Sequence, residues 1–122
     1  MLGAFSKNIA PYVLKEIELA EKARAAQDID LEFKHYENAH VIGQESTFWH
    51  VKAHVLMLRW ALRNSRIGEF SGQVVRIVGA ATKTMFGLVP KGNTGGANVS
   101  PFKVMPVRPE HQAVINRAKT CS

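Results

Sequence analysis

The sequence predicts an all-α protein: a bundle of about four helices, arranged as helical hairpins, closed by an irregular Gly/Pro-rich C-terminal strap. Three observations carry that expectation. Apolar residues recur at spacings of three, four and seven through most of the chain, the period of an amphipathic helix. The stretch from Asp28 to Asn64 reads as two helices joined by a short turn, and it holds four of the five histidines. Residues 87–109 contain four glycines and four prolines, which exclude regular helix or central strand.

The first helix is expected over 6–27. Pro11 falls in its early turns, where proline is tolerated, and Ser6 or Asn8 can cap it. Val13, Ile17 and Ala20 form its stripe, and Ala20, Ala23, Ala25 and Ala26 predict close approach to a neighbour. A second helix spans 28–43. Asp28 is a good N-cap, Ile29, Phe33, Tyr36, Ala39 and His40 share one side, and Gly43 suits a left-handed C-terminal position.

The third helix spans 46–64, capped by Ser46 or Thr47. His50, Ala53, His54, Met57 and Ala61 face inward, while Lys52, Arg59, Arg63 and Arg66 lie opposite as a basic surface. Trp49, Leu56 and Trp60 flank that stripe and call for cover, from the fourth helix or a second subunit. The fourth helix, 67–86, is expected to bury Phe70, Val74, Ile77, Val78 and Ala81. Its Gly68, Gly72 and Gly79 each cost about 1 kcal/mol relative to alanine. The strap follows over 87–109, with Val89, Val99, Phe102, Val104 and Met105 to hold it to the bundle. A short last helix, 110–118, brings Val114 and Ile115.

At 122 residues and 46% hydrophobic, the chain reads as one domain, 1–122, with enough length to bury a core. No apolar run is long enough for a membrane span, and the N-terminus becomes charged too early for a signal peptide. The single cysteine, Cys121, cannot make an internal disulfide, which fits a cytoplasmic location. Residues 1–51 carry five Lys/Arg against eight Asp/Glu, whereas residues 52–122 carry eleven against two. A basic half can attract nucleic acid, but no recognition signature accompanies Lys52, Arg59, Arg63 and Arg66, so a solvated or acid-paired face is the expectation.

Two constellations bear chemistry. His50 and His54 stand four apart, which puts two imidazoles on one helical face, as a transition-metal site requires. An antiparallel neighbour brings His40 to them, with Glu37 or Gln44 as a further oxygen donor. Position 51 is Val rather than the glutamate base of a zincin protease. His35 falls on a different face and is expected at the surface. The second constellation is a ligand loop of Lys91, Asn93, Thr94, Gly95, Gly96, Asn98 and Ser100, whose backbone amides can form an anion nest. It is neither a Walker A motif nor a dinucleotide fingerprint, and its Asn, Thr and Ser side chains equally suit a self-bonded loop. For nucleophilic catalysis there is no candidate, so the chain is read as non-enzymatic.

Leu19-Ala20, Ala23, Asp28, Tyr36, Ala39 and Gln44 resemble the packing positions of degenerate tetratricopeptide-repeat hairpins, with Glu32 and Gln44 departing from the pattern. Over the whole chain, Glu37-Asn38-Ala39-His40-Val41-Ile42-Gly43-Gln44, His50-Val51-Lys52-Ala53-His54 and Gly92-Asn93-Thr94-Gly95-Gly96-Ala97-Asn98-Val99-Ser100 are similar to a small bacterial family catalogued as domain of unknown function 3703. That resemblance brings no activity and implies only a neighbourhood link to heavy-metal handling. The expected function is a binding or scaffold module, with a homodimer through the aromatic face of the third helix. The alternative is a protein that binds a divalent transition metal through His40, His50 and His54, linked to metal resistance.

Overall fold

The computed structural model describes residues 3–85, 91–97 and 104–120, with the side chains of the fourth helix described through Ala80. Five α-helices follow in order: α1 (Ala4–Ala25), α2 (Ile29–Gly43), α3 (Thr47–Arg63), α4 (Ile67–Met85) and α5 (Pro109–Thr120). There is no strand among the described residues. The protein is all-α. α1 packs on α2, α2 on α3 and α3 on α4, while α5 lies against α1 and α2. No helix among the described residues is long and apolar enough to cross a membrane.

The helix starts follow the local chemistry of their caps. Asp28 Oδ1 accepts a hydrogen bond from Leu31 N at 3.1 Å, a cap worth about 1 kcal/mol. Ser46 Oγ accepts from Trp49 N at 3.3 Å and hydrogen-bonds Ser6 Oγ at 2.6 Å. Ser6 therefore ties α1 to α3 and caps nothing; the N-cap of α1 is Gly3, with no side-chain bond.

The helix ends differ from expectation. α1 closes with Gln27 at φ 61, Gln27 N donating to Arg24 O and Asp28 N to Ala23 O. α3 closes in the same way, with Ser65 at φ 55 and Arg66 N donating to Ala61 O. Both are Schellman ends, built on residues other than the usual glycine. Gly43 is not a left-handed cap. It lies inside α2, where a Cβ would come within 2.9 Å of Trp49 Cβ and 3.2 Å of Val13 Cγ2. Its role is close packing of α2 against α1 and α3.

Two apolar clusters form the core. One joins Ile9, Val13, Ala39, Ile42, Trp49, Ile115 and Ala118. The other joins Ala20, Tyr36, Met57, Trp60 and Ala61. Both tryptophans are buried, with Trp49 Nε1 donating to Ser6 O and Trp60 Nε1 to Ile29 O. Their cover comes from α1, α2 and α5, and from α4 through Phe70, so the two tryptophans of the face expected to form a dimer are inside the protein.

α4 is turned relative to its predicted stripe. Val74 and Val78 are exposed, together with Ile67 and Val75, whereas Gln73 and Ala80 are buried. Of the expected stripe, Phe70 and Ile77 are half-buried, and the side chain of Ala81 lies outside the described residues. Reading apolar residues as inward fails here because the surface that α4 covers around Gln73 is polar.

Glu32 is a charge taken inside, and Arg63 reaches it from the exposed side of α3. Glu32 is 1% exposed, accepts Tyr36 Oη–H at 2.7 Å, and is gripped by both terminal nitrogens of Arg63 at 3.1 and 2.5 Å. Burial alone would push its carboxyl up, but the hydrogen bonds from Arg63 and Tyr36 outweigh that and hold it below the usual range. The same burial, with Glu32 beside it, pushes Tyr36 up to about 12.

Candidate metal centre

The inward face of the α2–α3 hairpin carries three histidines at successive heights. His40 comes from α2; His50 and His54, four residues apart, come from one face of α3. Their exposures are 2%, 5% and 2%. Ring centroids are 4.8 Å apart for His40 and His50, 4.7 Å for His40 and His54, and 5.0 Å for His50 and His54. One nitrogen from each lies within 4.8 Å of the other two. Three atoms so spaced have a common centre at most about 2.8 Å from each, against about 2.0–2.1 Å for a zinc–imidazole bond. Inward shifts below about 1 Å therefore bring all three to bonding distance.

Two of the rings are oriented from behind. His40 Nδ1 donates to the Asn93 carbonyl at 2.6 Å. His54 Nδ1 meets Gln73 Oε1 at 2.5 Å. The amide of Gln73 has a fixed sense, because its Nε2 donates to Glu69 Oε2 at 2.5 Å and to Gly95 O at 2.9 Å. Its oxygen must then accept, and His54 must donate from Nδ1. Both rings are thus set in the tautomer whose lone pair is on Nε2, the arrangement by which carbonyl partners prepare histidines for metal.

Burial, followed by the neighbouring His54 and His50, holds His40 well below the usual imidazole range. It is neutral at physiological pH, as a ligand must be.

The strap covers this cluster. Gly95, at φ +83, lies so close to His40 that a Cβ there would come within 2.5 Å of the ring. Asn93 Oδ1 accepts from Gly95 N at 2.9 Å, and Glu69 Oε2 accepts from Ala97 N at 2.9 Å. Further along, Met105 N donates to Lys91 O at 2.9 Å, and Gly92, at φ +79, sits against the Met105 carbonyl. The Asn93 side chain is thus spent on the loop's own geometry, and the loop reaches α4 through its backbone. Gly96 is buried, Thr94 half-buried and Lys91 exposed, while Asn98 and Ser100, along with Val89, Val99 and Phe102, fall outside the described residues.

The other expected site residues are dispersed. Glu37 is half-buried, its carboxyl raised chiefly by burial, and it meets Thr94 of the strap; it is not part of the three-histidine group. Gln44, one turn beyond His40 on α2, is 3% exposed, and its Oε1 has no hydrogen-bond partner. Lys52 and Arg59 are exposed, Arg63 is committed to Glu32, and Arg66 stacks 5.5 Å over Trp60. The expected basic stripe is therefore divided between solvent and internal partners. His35 is not a surface residue: its side chain is 18% exposed and its Nδ1 lies 2.9 Å from Glu16 Oε1. His111 lines a cleft of about 350 Å³ with Tyr12, Glu16, Asn38 and Arg108, between α1, α2 and α5.

Sequence reasoning missed Gln73 and Glu69. Their spacing of four on α4, in register with the half-buried Ile77 and the buried Ala80, was the available signal, masked by the exposed valines that follow Gln73.

No curated protein and no solved structure matches the chain. A family model does, over residues 7–115. The chain belongs to the family described as "Protein of unknown function (DUF3703)".

Proposed function

We propose that this protein binds a divalent transition metal through His40, His50 and His54. The observation that carries the reading is the burial of three imidazoles with one nitrogen of each within 4.8 Å of the others. Three borderline nitrogen donors suit zinc, copper or nickel and disfavour magnesium or calcium, which take oxygen.

Gln44 supplies the fourth donor. Its carbonyl oxygen is buried and unpaired, and its i,i+4 spacing from His40 puts it on the same side of α2. A buried acceptor without a partner costs about 1–3 kcal/mol and calls for an ion or water. With four protein donors the ion is held closed, which suits storage, buffering or sensing better than hydrolysis. The scaffold alternative loses its chief support, since Trp49 and Trp60 are buried.

Titration with Co²⁺ tests the reading. Ligand-field bands of tetrahedral intensity should saturate at one equivalent and disappear in His54→Ala. In Gln44→Leu they should persist at lower affinity, while the metal-free protein gains about 1 kcal/mol from losing the orphaned carbonyl. Absence of these bands in the wild type would refute the site.

A further inference from the structure

The covering strap is wired to the histidines through the edges that would not bind metal. His40 Nδ1 holds the Asn93 carbonyl, and His54 Nδ1 holds Gln73, which in turn holds the Gly95 carbonyl. Glu69 closes the circuit, accepting from Gln73 Nε2 and from Ala97 N. These hydrogen bonds from His40 and His54 to the strap thus run through an imidazole N–H or the amide that receives one.

We propose that residues 91–97 form a latch whose closure is coupled to occupancy of the histidine site, so that the strap reports bound metal at the protein surface. This inference rests on the metal-binding reading above. A cation on Nε2 withdraws electron density from the ring and makes Nδ1–H a stronger donor. The bonds to Asn93 O and Gln73 Oε1 tighten, and the strap tightens with them. Coupling of this kind is reciprocal: a strap that closes more firmly over the loaded site must also retain the metal more firmly. The movement is bounded, because Met105 N to Lys91 O and the contact of Gly92 with Met105 anchor the base of the loop. What changes is the hold on 93–97, with exposed Lys91 at its margin.

Amide hydrogen exchange on the full chain, with and without Zn²⁺, tests the coupling. The Gly95 and Ala97 amides should exchange roughly tenfold more slowly in the zinc form, within the usual range of allosteric coupling. The α5 amides of Ile115 and Ala118 should change much less. Asn93→Ala removes the Oδ1 that holds Gly95 N but keeps the carbonyl that His40 uses. It should bind one zinc and surrender it to chelator roughly tenfold faster than wild type. Gly95→Ala, whose Cβ would strike the His40 ring, should do the same or more; if it fails to fold, Asn93→Ala carries the test. Zinc binding with unchanged strap exchange, or equal slowing in the strap and α5, overturns the latch and leaves the metal site standing. No zinc binding at all overturns the metal reading and the latch together.

Discussion

Two buried polar clusters bridge α2 and α3, and they are built on opposite logic. At one end Glu32, Arg63 and Tyr36 answer one another: a carboxylate accepts two guanidinium bonds and a phenol. Its electrostatics are complete within the chain. The other gathers three groups of the same kind, His40, His50 and His54, with ring centroids 4.7–5.0 Å apart. There the polar partners of His40 and His54 lie on the outer edges, and what is concentrated inside is basic nitrogen. The first cluster is explained by folding. The second is the one for which a bound metal is proposed.

The sharpest way to break this contrast is to remove one member of each. Arg63→Ala leaves Glu32 buried without its counter-charge and should cost about 1.5–3 kcal/mol in denaturant unfolding, with zinc stoichiometry unchanged. A loss below about 1 kcal/mol would show that the pair is merely a surface ion pair. His50→Leu should instead act through the ion. Its effect should appear when metal is added. Wild type should gain about 2.7 kcal/mol at a zinc concentration one hundred times the Kd, and the variant should gain almost none. An equal gain in both would mean that the stabilising ion binds elsewhere.

Acid separates the clusters along the pH axis. His40 titrates below its unfolded value of 6.5, so the folded chain binds fewer protons there than the unfolded one. Its contribution is complete above pH 6.5 and is lost as pH falls from 6.5 toward the folded value, by about 1.4 kcal/mol per pH unit. Glu32, also lowered in the folded state, acts in the same sense from 4.5 downward. Metal-free stability should therefore fall in two stages. His40→Phe should shrink the upper stage to the part that His111, also lowered by burial, contributes, and Glu32→Gln should shrink the lower, as equilibrium unfolding across pH will show.

The smallest effect concerns the hairpin ends on which both clusters depend. Gln27 and Ser65 hold positive φ without being glycine. Replacing either by glycine should raise stability by about 0.5–1 kcal/mol, since the left-handed conformation costs a side chain about 1–2 kcal/mol, offset by the entropy glycine loses on folding. Thermal unfolding would measure it. No change would mean that the side chains themselves contribute to these ends.

The helices were legible because their signals are local. Asp28 and Ser46 cap as their side chains predict, and the spacing of His50 and His54 fixes one face whatever surrounds it. What stayed hidden was set by neighbours distant in the chain. The burial of Glu32 has no local signal, because its partner Arg63 lies thirty-one residues later. Val74 and Val78 read as the buried stripe of α4, yet α4 turns Gln73 inward because it faces histidines and strap carbonyls. Hydrophobic periodicity finds an apolar interface, and around Gln73 the interface is polar. Gly43 was legible as a special glycine but not as a packing contact, because that depends on Trp49 and Val13.

Metal content and zinc titration of untagged wild-type protein, beside the His50→Ala/His54→Ala double variant, test the central claim most directly. The account predicts one zinc per chain in the wild type and none in a double variant that retains the helical far-ultraviolet signal. A wild type that takes up no stoichiometric zinc, copper or nickel, or a double variant that binds as wild type does, would contradict it.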